Sequence, residues 1–301
     1  MPTIHMKSTR KQVDTTDSCA YEGSRSMTNH PQTERDAQLA DHFRVHLTGI
    51  YFSQIGPEWD SGGKCQSDYL HHIDIGISGR RQVMHEGKLY DLKPGQVWFL
   101  PGNTPVERRC RERCEVLFFK LSCDWLPGFD PLLDWPDRAP RLAQTCDVEE
   151  WRKWQTPGRE IGVVELLQLR AQLLNWIASA IPELGAVITK HLDTTIQFTG
   201  VFDAIEKNLG ADLRLPSLAA VCGKTPEAFS MAFIRSTGMS PKDYVMRRLN
   251  QEALKLILKT DIQIKEISHK LRFTDEFYFS RFFKNMNGCS PSAYRKQFRA
   301  G

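Results

Sequence analysis

The chain runs to 301 residues, 41% of them hydrophobic and 25% charged, with 40 Lys and Arg against 36 Asp and Glu. That length suits two domains with cores of their own. No run of about 18 apolar residues exists to span a bilayer, and the first residues lack the apolar core of a signal peptide, so a cytoplasmic protein with no membrane partner is expected. The eight Cys are scattered from Cys19 to Cys289, which reads as reduced thiols rather than a disulfide framework. Cys110, Cys114 and Cys123 would suit a thiol sensor or soft-metal site, but no CxxC pair supports one; no metal and no cofactor is expected.

Residues 1–36 are polar, with Ser, Thr, Lys, Arg and Asp interleaved, and read as a disordered tail. Residues 37–181 read as an antiparallel β domain closed by a helix. The clearest strand-like runs are Tyr69–Ser78, Arg81–His85, Lys88–Leu92, Gln96–Leu100 and Glu115–Ser122. Glu86-Gly87 suits a tight hairpin turn, and Pro94-Gly95 and Pro101-Gly102-Asn103 mark others. Many short strands at close spacing predict a barrel or jelly roll, whose mouth is a natural small-molecule pocket. Trp98, Phe118, Arg108, His72 and Asp74 are the candidate ligand-binding residues, because aromatic rings stack on sugars and Arg pairs with carboxylates. The plainer alternatives put Trp98 in the core and His72 and Asp74 on a solvated outer face.

Residues 124–158, rich in Pro, Trp and Asp, read as irregular. Ile161–Ile181 predicts a strong helix. Leu166, Leu169, Leu173 and Trp176 form one apolar stripe, beside a second of Leu167, Leu174 and Ile181. Two stripes exceed what one barrel needs. The first is therefore expected at a homodimer interface, with packing on the chain's own barrel as the alternative. Pro182 and Gly185 break the helix, and 182–195 reads as a linker to a helical domain over 196–301.

That last domain contains a repeat. Residues 217–244 read SLAAVCGKTPEAFSMAFIRSTGMSPKDY, and residues 266–294 read EISHKLRFTDEFYFSRFFKNMNGCSPSAY. Phe229 and Phe233 match Phe279 and Phe283, Gly238 matches Gly288, and Tyr244 matches Tyr294, at a period of about 50 residues with one extra residue in the second turn. In the second copy Phe279, Phe282, Phe283 and Met286 make one buried stripe, Thr274 is placed to cap, and Phe277, Ser280, Arg281 and Lys284 face outward. A doubled unit of short helix, turn and amphipathic helix is a pair of helix-turn-helix motifs. Residues 193–301 also hold 17 Lys and Arg against 11 Asp and Glu, leaving 23 against 25 elsewhere, so the basic excess sits on the repeat.

The region resembles the DNA-binding domain of the AraC/XylS family of bacterial transcription regulators, over roughly a third of the chain. The residues that carry it are Leu218-Ala219, Gly223, Phe229, Phe233, Gly238, Ser240-Pro241 and Tyr244, the bridging Ala253, Leu256-Ile257 and Thr260-Asp261, then Ile267, Phe273, Tyr278-Phe279-Ser280-Arg281, Phe283-Lys284, Gly288, Ser290-Pro291 and Tyr294-Arg295. The family usually has Gly where this chain has Arg272. Residues 87–106, GKLYDLKPGQVWFLPGNTPV, resemble the small cupin barrel that often precedes such a domain, with Val106 where metal-binding cupins place a His. The implied fold is α+β: an N-terminal antiparallel cupin-like barrel with dimer helices and a C-terminal all-α double helix-turn-helix.

In each copy the second helix should enter the major groove. Glu227, Ser230, Met231 and Arg235 are the candidate contacts in the first. Glu276, Phe277, Ser280, Arg281 and Lys284 are those in the second, and Arg247-Arg248 on the bridging helix suit phosphates. The resemblance implies a non-enzymatic activator of promoter DNA, working with RNA polymerase and sensing a small-molecule effector such as a sugar or related carbon source. The competing readings are a cupin enzyme with a helical appendage and an effector-independent DNA-binding protein whose barrel only dimerises.

Overall fold

A computed structural model describes residues 36–37, 40–125, 129–133, 135–156, 159–189 and 192–299. The expected tail, save Asp36, lies outside them. Among the described residues, strands β1 (Arg44–Ile55), β7 (Cys114–Asp124), β2 (His71–Ser78), β5 (Gln96–Leu100) and β8 (Arg141–Thr145) form one sheet in that spatial order. Strands β4 (Lys88–Leu92), β3 (Arg81–His85) and β6 (Glu107–Arg109) form a second. Every pairing is antiparallel. His85 lies opposite Lys88, so Glu86 and Gly87 fill a two-residue turn, with φ of 47° and 78°. Positive φ at both positions matches the right-handed twist of the flanking strands.

Three strands, β1, β6 and β8, lie outside the five runs read from sequence. The longest, β1, carries a register shift between Leu47 and Gly49, so its alternation does not hold along its length. Edge strand β8 falls in the stretch read as irregular, and its pairing is also offset, at Val97/Trp98. Helix α1 (Val148–Arg152) follows it, capped by Asp147.

Helix α2 (Val163–Ala180) crosses the five-stranded sheet. Leu169, Leu173 and Trp176 are 3%, 0% and 0% exposed and share a core with Ile73, Phe99, Phe119 and Leu121. This corrects the expected dimer stripe: these side chains are core within one chain, and Leu166 beside them is half-buried. The reason lies in the sheet, whose alternating Ile73, Ile75, Leu117 and Phe119 form an apolar face that needs a cover. Each large apolar side chain so buried is worth about 1.5–3 kcal/mol. Val163, Val164, Leu167 and Leu174 of α2 remain exposed, whereas Ile181 is buried.

Helix α3 (Leu184–Thr189) occupies part of the stretch read as a linker, and α4 (Leu192–Lys207) is kinked at Phe198. The first helix-turn-helix unit is α5 (Leu215–Val221) with α6 (Pro226–Thr237), the bridge is α7 (Pro241–Lys259), and the second unit is α8 (Ile264–Lys270) with α9 (Glu276–Asn287). Helix α10 (Pro291–Arg299) ends the described chain. Gly238 and Gly288, at φ 77° and 79°, stop α6 and α9 in the left-handed conformation that glycine adopts freely. Ser240 and Thr225 cap α7 and α6. In the second unit the cap is Asp275, whose carboxylate accepts from Tyr278 N at 2.6 Å, and not Thr274. Asp275 takes the place of Thr225, four residues before the buried Phe, so the extra residue of the second turn falls at Thr274. Buried Asn250 and Asn287 exchange side-chain hydrogen bonds at 3.2 and 2.6 Å and pin α7 to α9. Tyr69, Leu70, Trp125, Phe129 and Leu133 of the β domain join the same core as the helices.

Candidate functional site

The outward face of α6 is poor in donors. Glu227, Met231 and Arg235 are exposed and Ser230 is half-buried, while Met231 and Ile234 offer apolar surface at 63% and 45% exposure. On α9, Glu276, Phe277, Arg281 and Lys284 are exposed and Ser280 is half-buried. Phe279, Phe282 and Phe283 hold this helix from beneath, so its cationic side chains stand clear of the core. A phosphate role for Arg248 needs correction. Its guanidinium is forked onto Glu206 at 2.6 and 2.8 Å, with Glu252 at 3.7 Å, and ties α7 to α4. Arg247 next to it is half-buried.

Arg272 has φ 57°, close to the 62° of Gly223 at the equivalent place in the first unit. The turns close alike: Lys224 N donates to Ala219 O, and Phe273 N donates to Ser268 O, both at 3.0 Å. The turn therefore imposes a left-handed residue whatever the side chain, and Arg there is strained by about 1 kcal/mol. Its guanidinium in turn pairs with Asp212 at 3.0 Å and donates to the Asn208 carbonyl, lying against Gly210.

A cavity of about 1010 Å³ opens between the two sheets and the end of the helical domain. The face of the large sheet that does not meet α2 forms one wall, with His72, Asp74 and Phe118; Arg108 stands on the small sheet. Four of the five expected pocket residues thus meet at one cavity. Trp98 does not: it packs edge-on to Tyr90, 6.1 Å between centroids, and its indole N–H donates to Gln96. Cys289, Tyr294 and Phe298 of the helical domain close the other side.

At that seam sits Lys120, fully buried. Its ammonium binds the Asp68 carboxylate, lies 3.3 Å from the Tyr294 hydroxyl, and stands over the Phe298 ring 3.2 Å from its centroid. His72 Nε2 adds a 3.3 Å contact to Asp68. Burial alone would raise the Asp68 pKa, but Lys120 and His72 hold the carboxyl well below the usual carboxylate range. Burial lowers the Lys120 pKa, with Asp68 opposing it. Tyr51 stacks on Phe118 at 5.1 Å and meets Phe298 edge-on at 5.8 Å, its hydroxyl pushed up to about 12 by burial and Asp68. Lys120, Asp68 and Tyr51 escaped the sequence reading. The available signal was a single cation in the apolar run of β7, on the same face as Phe118.

His71, Cys123 and Asp130 present ligand-type atoms within 4.8 Å of one another. Both His71 ring nitrogens are engaged, Nε2 with Asp130 at 2.8 Å and Nδ1 accepting from Gly102 N at 2.7 Å, and Asp130 also accepts from Cys123 N. The group is a buried staple for the segment after β7.

The helix-turn-helix domain family matches residues 218–297. YijO, an uncharacterized HTH-type transcriptional regulator of Escherichia coli, is 26% identical over 283 residues, 85% of this chain and 91% of its own. AarP, an HTH-type transcriptional activator of Providencia stuartii, is 35% identical over 91 residues, 30% of this chain and 67% of its own. Three other curated relatives match over 107–139 residues, and the chain spans only 35–50% of their length. Among solved structures, ToxT from Vibrio cholerae has the same fold, with a TM-score of 0.53 over 86% of this chain and 99% of its own at 14% identity. No helix among the described residues is long and apolar enough to cross a membrane. With two helix-turn-helix units behind a two-sheet β domain, and with these relatives, the chain belongs to the AraC/XylS family of bacterial transcription regulators.

Proposed function

We propose that the protein is a ligand-responsive activator that binds promoter DNA through α6 and α9 and works with RNA polymerase. The observation that carries the ligand response is the cavity, walled by sheet strands on one side and by the end of α9 and by α10 on the other. An occupant that spans the cavity would touch both, so its binding energy can differ between two arrangements of these helices, which is what coupling requires. AarP is named an activator, and ToxT has been solved with an unsaturated fatty acid bound. A homodimer, also expected from the family, would use the exposed Val163, Val164, Leu167 and Leu174 instead of the buried stripe.

The test is a gel-shift titration of the full chain on duplexes enriched from a random pool. Binding at low salt that weakens steeply toward physiological salt is expected, because several phosphate contacts release counterions. Absence of binding to any duplex at low salt refutes the reading.

A further inference from the structure

The charges in the cavity do not cancel. Arg81 pairs with Asp74 at 2.7 Å, and Lys120 pairs with Asp68. Arg108 is left over. Among the described residues no carboxylate or carbonyl accepts from its guanidinium, which stands 5.5 Å from the Trp59 ring centroid, with Arg81 at 5.6 Å over the same ring. Burial draws the Arg108 pKa down while Asp68 and Asp74 oppose the shift. Asp74 shows the opposite deficit. Its Oδ2 accepts from Arg81, whereas Oδ1 is buried without a hydrogen-bond donor, 4.0 Å from His72 Nδ1. A half-buried guanidinium lacking an acceptor and a buried carboxylate oxygen lacking a donor are each costly when left unmatched.

We propose that the cavity takes a compact anion that also carries a hydroxyl or amino donor, with the anionic group on Arg108 and the donor on Asp74 Oδ1. The class comprises hydroxy acids, amino acids and phosphorylated alcohols. The stacked rings of Tyr51, Phe118 and His72 supply an apolar wall for the atoms between. A neutral sugar would leave Arg108 unmatched, and a plain hydrocarbon acid would leave Asp74 unmatched. This rests on the reading of the cavity as the effector site.

The test titrates the full chain by calorimetry and thermal melting at constant ionic strength. The probes are acetate, glycolate, inorganic phosphate and ethylene glycol, with chloride as reference. Glycolate is expected to bind about fivefold more tightly than acetate, since it adds one hydrogen bond to a charged acceptor. Arg108→Gln should weaken both anions about tenfold, and Arg108→Lys should recover part of that loss, because it keeps the charge without the fork. The order of phosphate and acetate tells which anionic group the site prefers. Equal stabilisation by ethylene glycol and glycolate, or an Arg108→Gln chain that responds like the wild type, overturns the proposal. Mass spectrometry of ligand retained through purification separates the two claims. A neutral retained molecule overturns the anion and leaves the effector reading standing. A chain that responds to no anion and retains nothing overturns both.

Discussion

In the first helix-turn-helix unit Tyr244 packs against Phe202 of α4 and Phe233, with Asp124 and Tyr69 of the β domain near its hydroxyl. In the second the equivalent Tyr294 packs against Phe283 and Phe298, and its hydroxyl reaches Lys120 of the β domain. Both tyrosines thus stand near the β domain, but Tyr294 lines the cavity and Tyr244 does not. The two helices proposed to read DNA differ too: α6 offers Met231 and Ile234, whereas α9 offers Arg281 and Lys284 beside Phe277 at 82% exposure. Duplication preserved the helical scaffold, while closure and chemistry diverged. The unit with more donors is the one tied to the cavity.

The largest expected effect comes from cutting that tie. Lys120→Met leaves Asp68 without its cation and should cost about 3 kcal/mol, as for a buried pair with one partner removed. Hydrogen exchange should rise over 291–299 and stay unchanged over 241–249. Equal loosening of both segments would erase the asymmetry.

The two helices proposed to read DNA come next. Arg281→Ala should weaken binding to a selected site by about 1–3 kcal/mol and flatten preference at one base pair, if its fork reads a guanine. Met231→Ala should cost less than about 1 kcal/mol, as the loss of an apolar contact. Equilibrium binding of both variants to matched and mutated duplexes separates the units, and a larger loss at Met231 would reverse their ranking.

The turns provide a smaller contrast. Arg272→Gly relieves left-handed strain but loses the exposed pair with Asp212, so stability should change by less than about 1 kcal/mol. Arg272→Ala keeps the strain and loses the pair, so it should melt lower than either. If Ala and Gly melt alike, the strain is not there.

Acid should bear on the second unit's anchor. The Asp68 pKa is lowered in the folded chain, so its contribution is present above the ordinary carboxylate value of about 4 and fades as pH falls below it. Melting between about pH 5 and pH 3 should therefore be steeper for the wild type than for Lys120→Met.

Local chemistry was the legible part of this molecule. Glu86-Gly87, Ser240-Pro241 and Gly238 each state a turn or cap through their own backbone preferences. Long-range pairing was not legible. Lys120 stands out in its strand, yet its partners Asp68 and Tyr294 lie 52 and 174 residues away. The two stripes of α2 looked equivalent because periodicity shows that a face is apolar and not what covers it. Arg248 read as a phosphate ligand because Glu206, 42 residues earlier, could not be placed beside it.

Footprinting of the full chain on a selected duplex tests the central claim most directly. Two unequal readers joined by one rigid bridge should protect two major-groove segments about one helical turn apart. Arg281→Ala should erase one of them and Met231→Ala only thin the other. A single protected segment, or a footprint that Arg281→Ala leaves intact, would contradict the assignment of α9 as the principal reader.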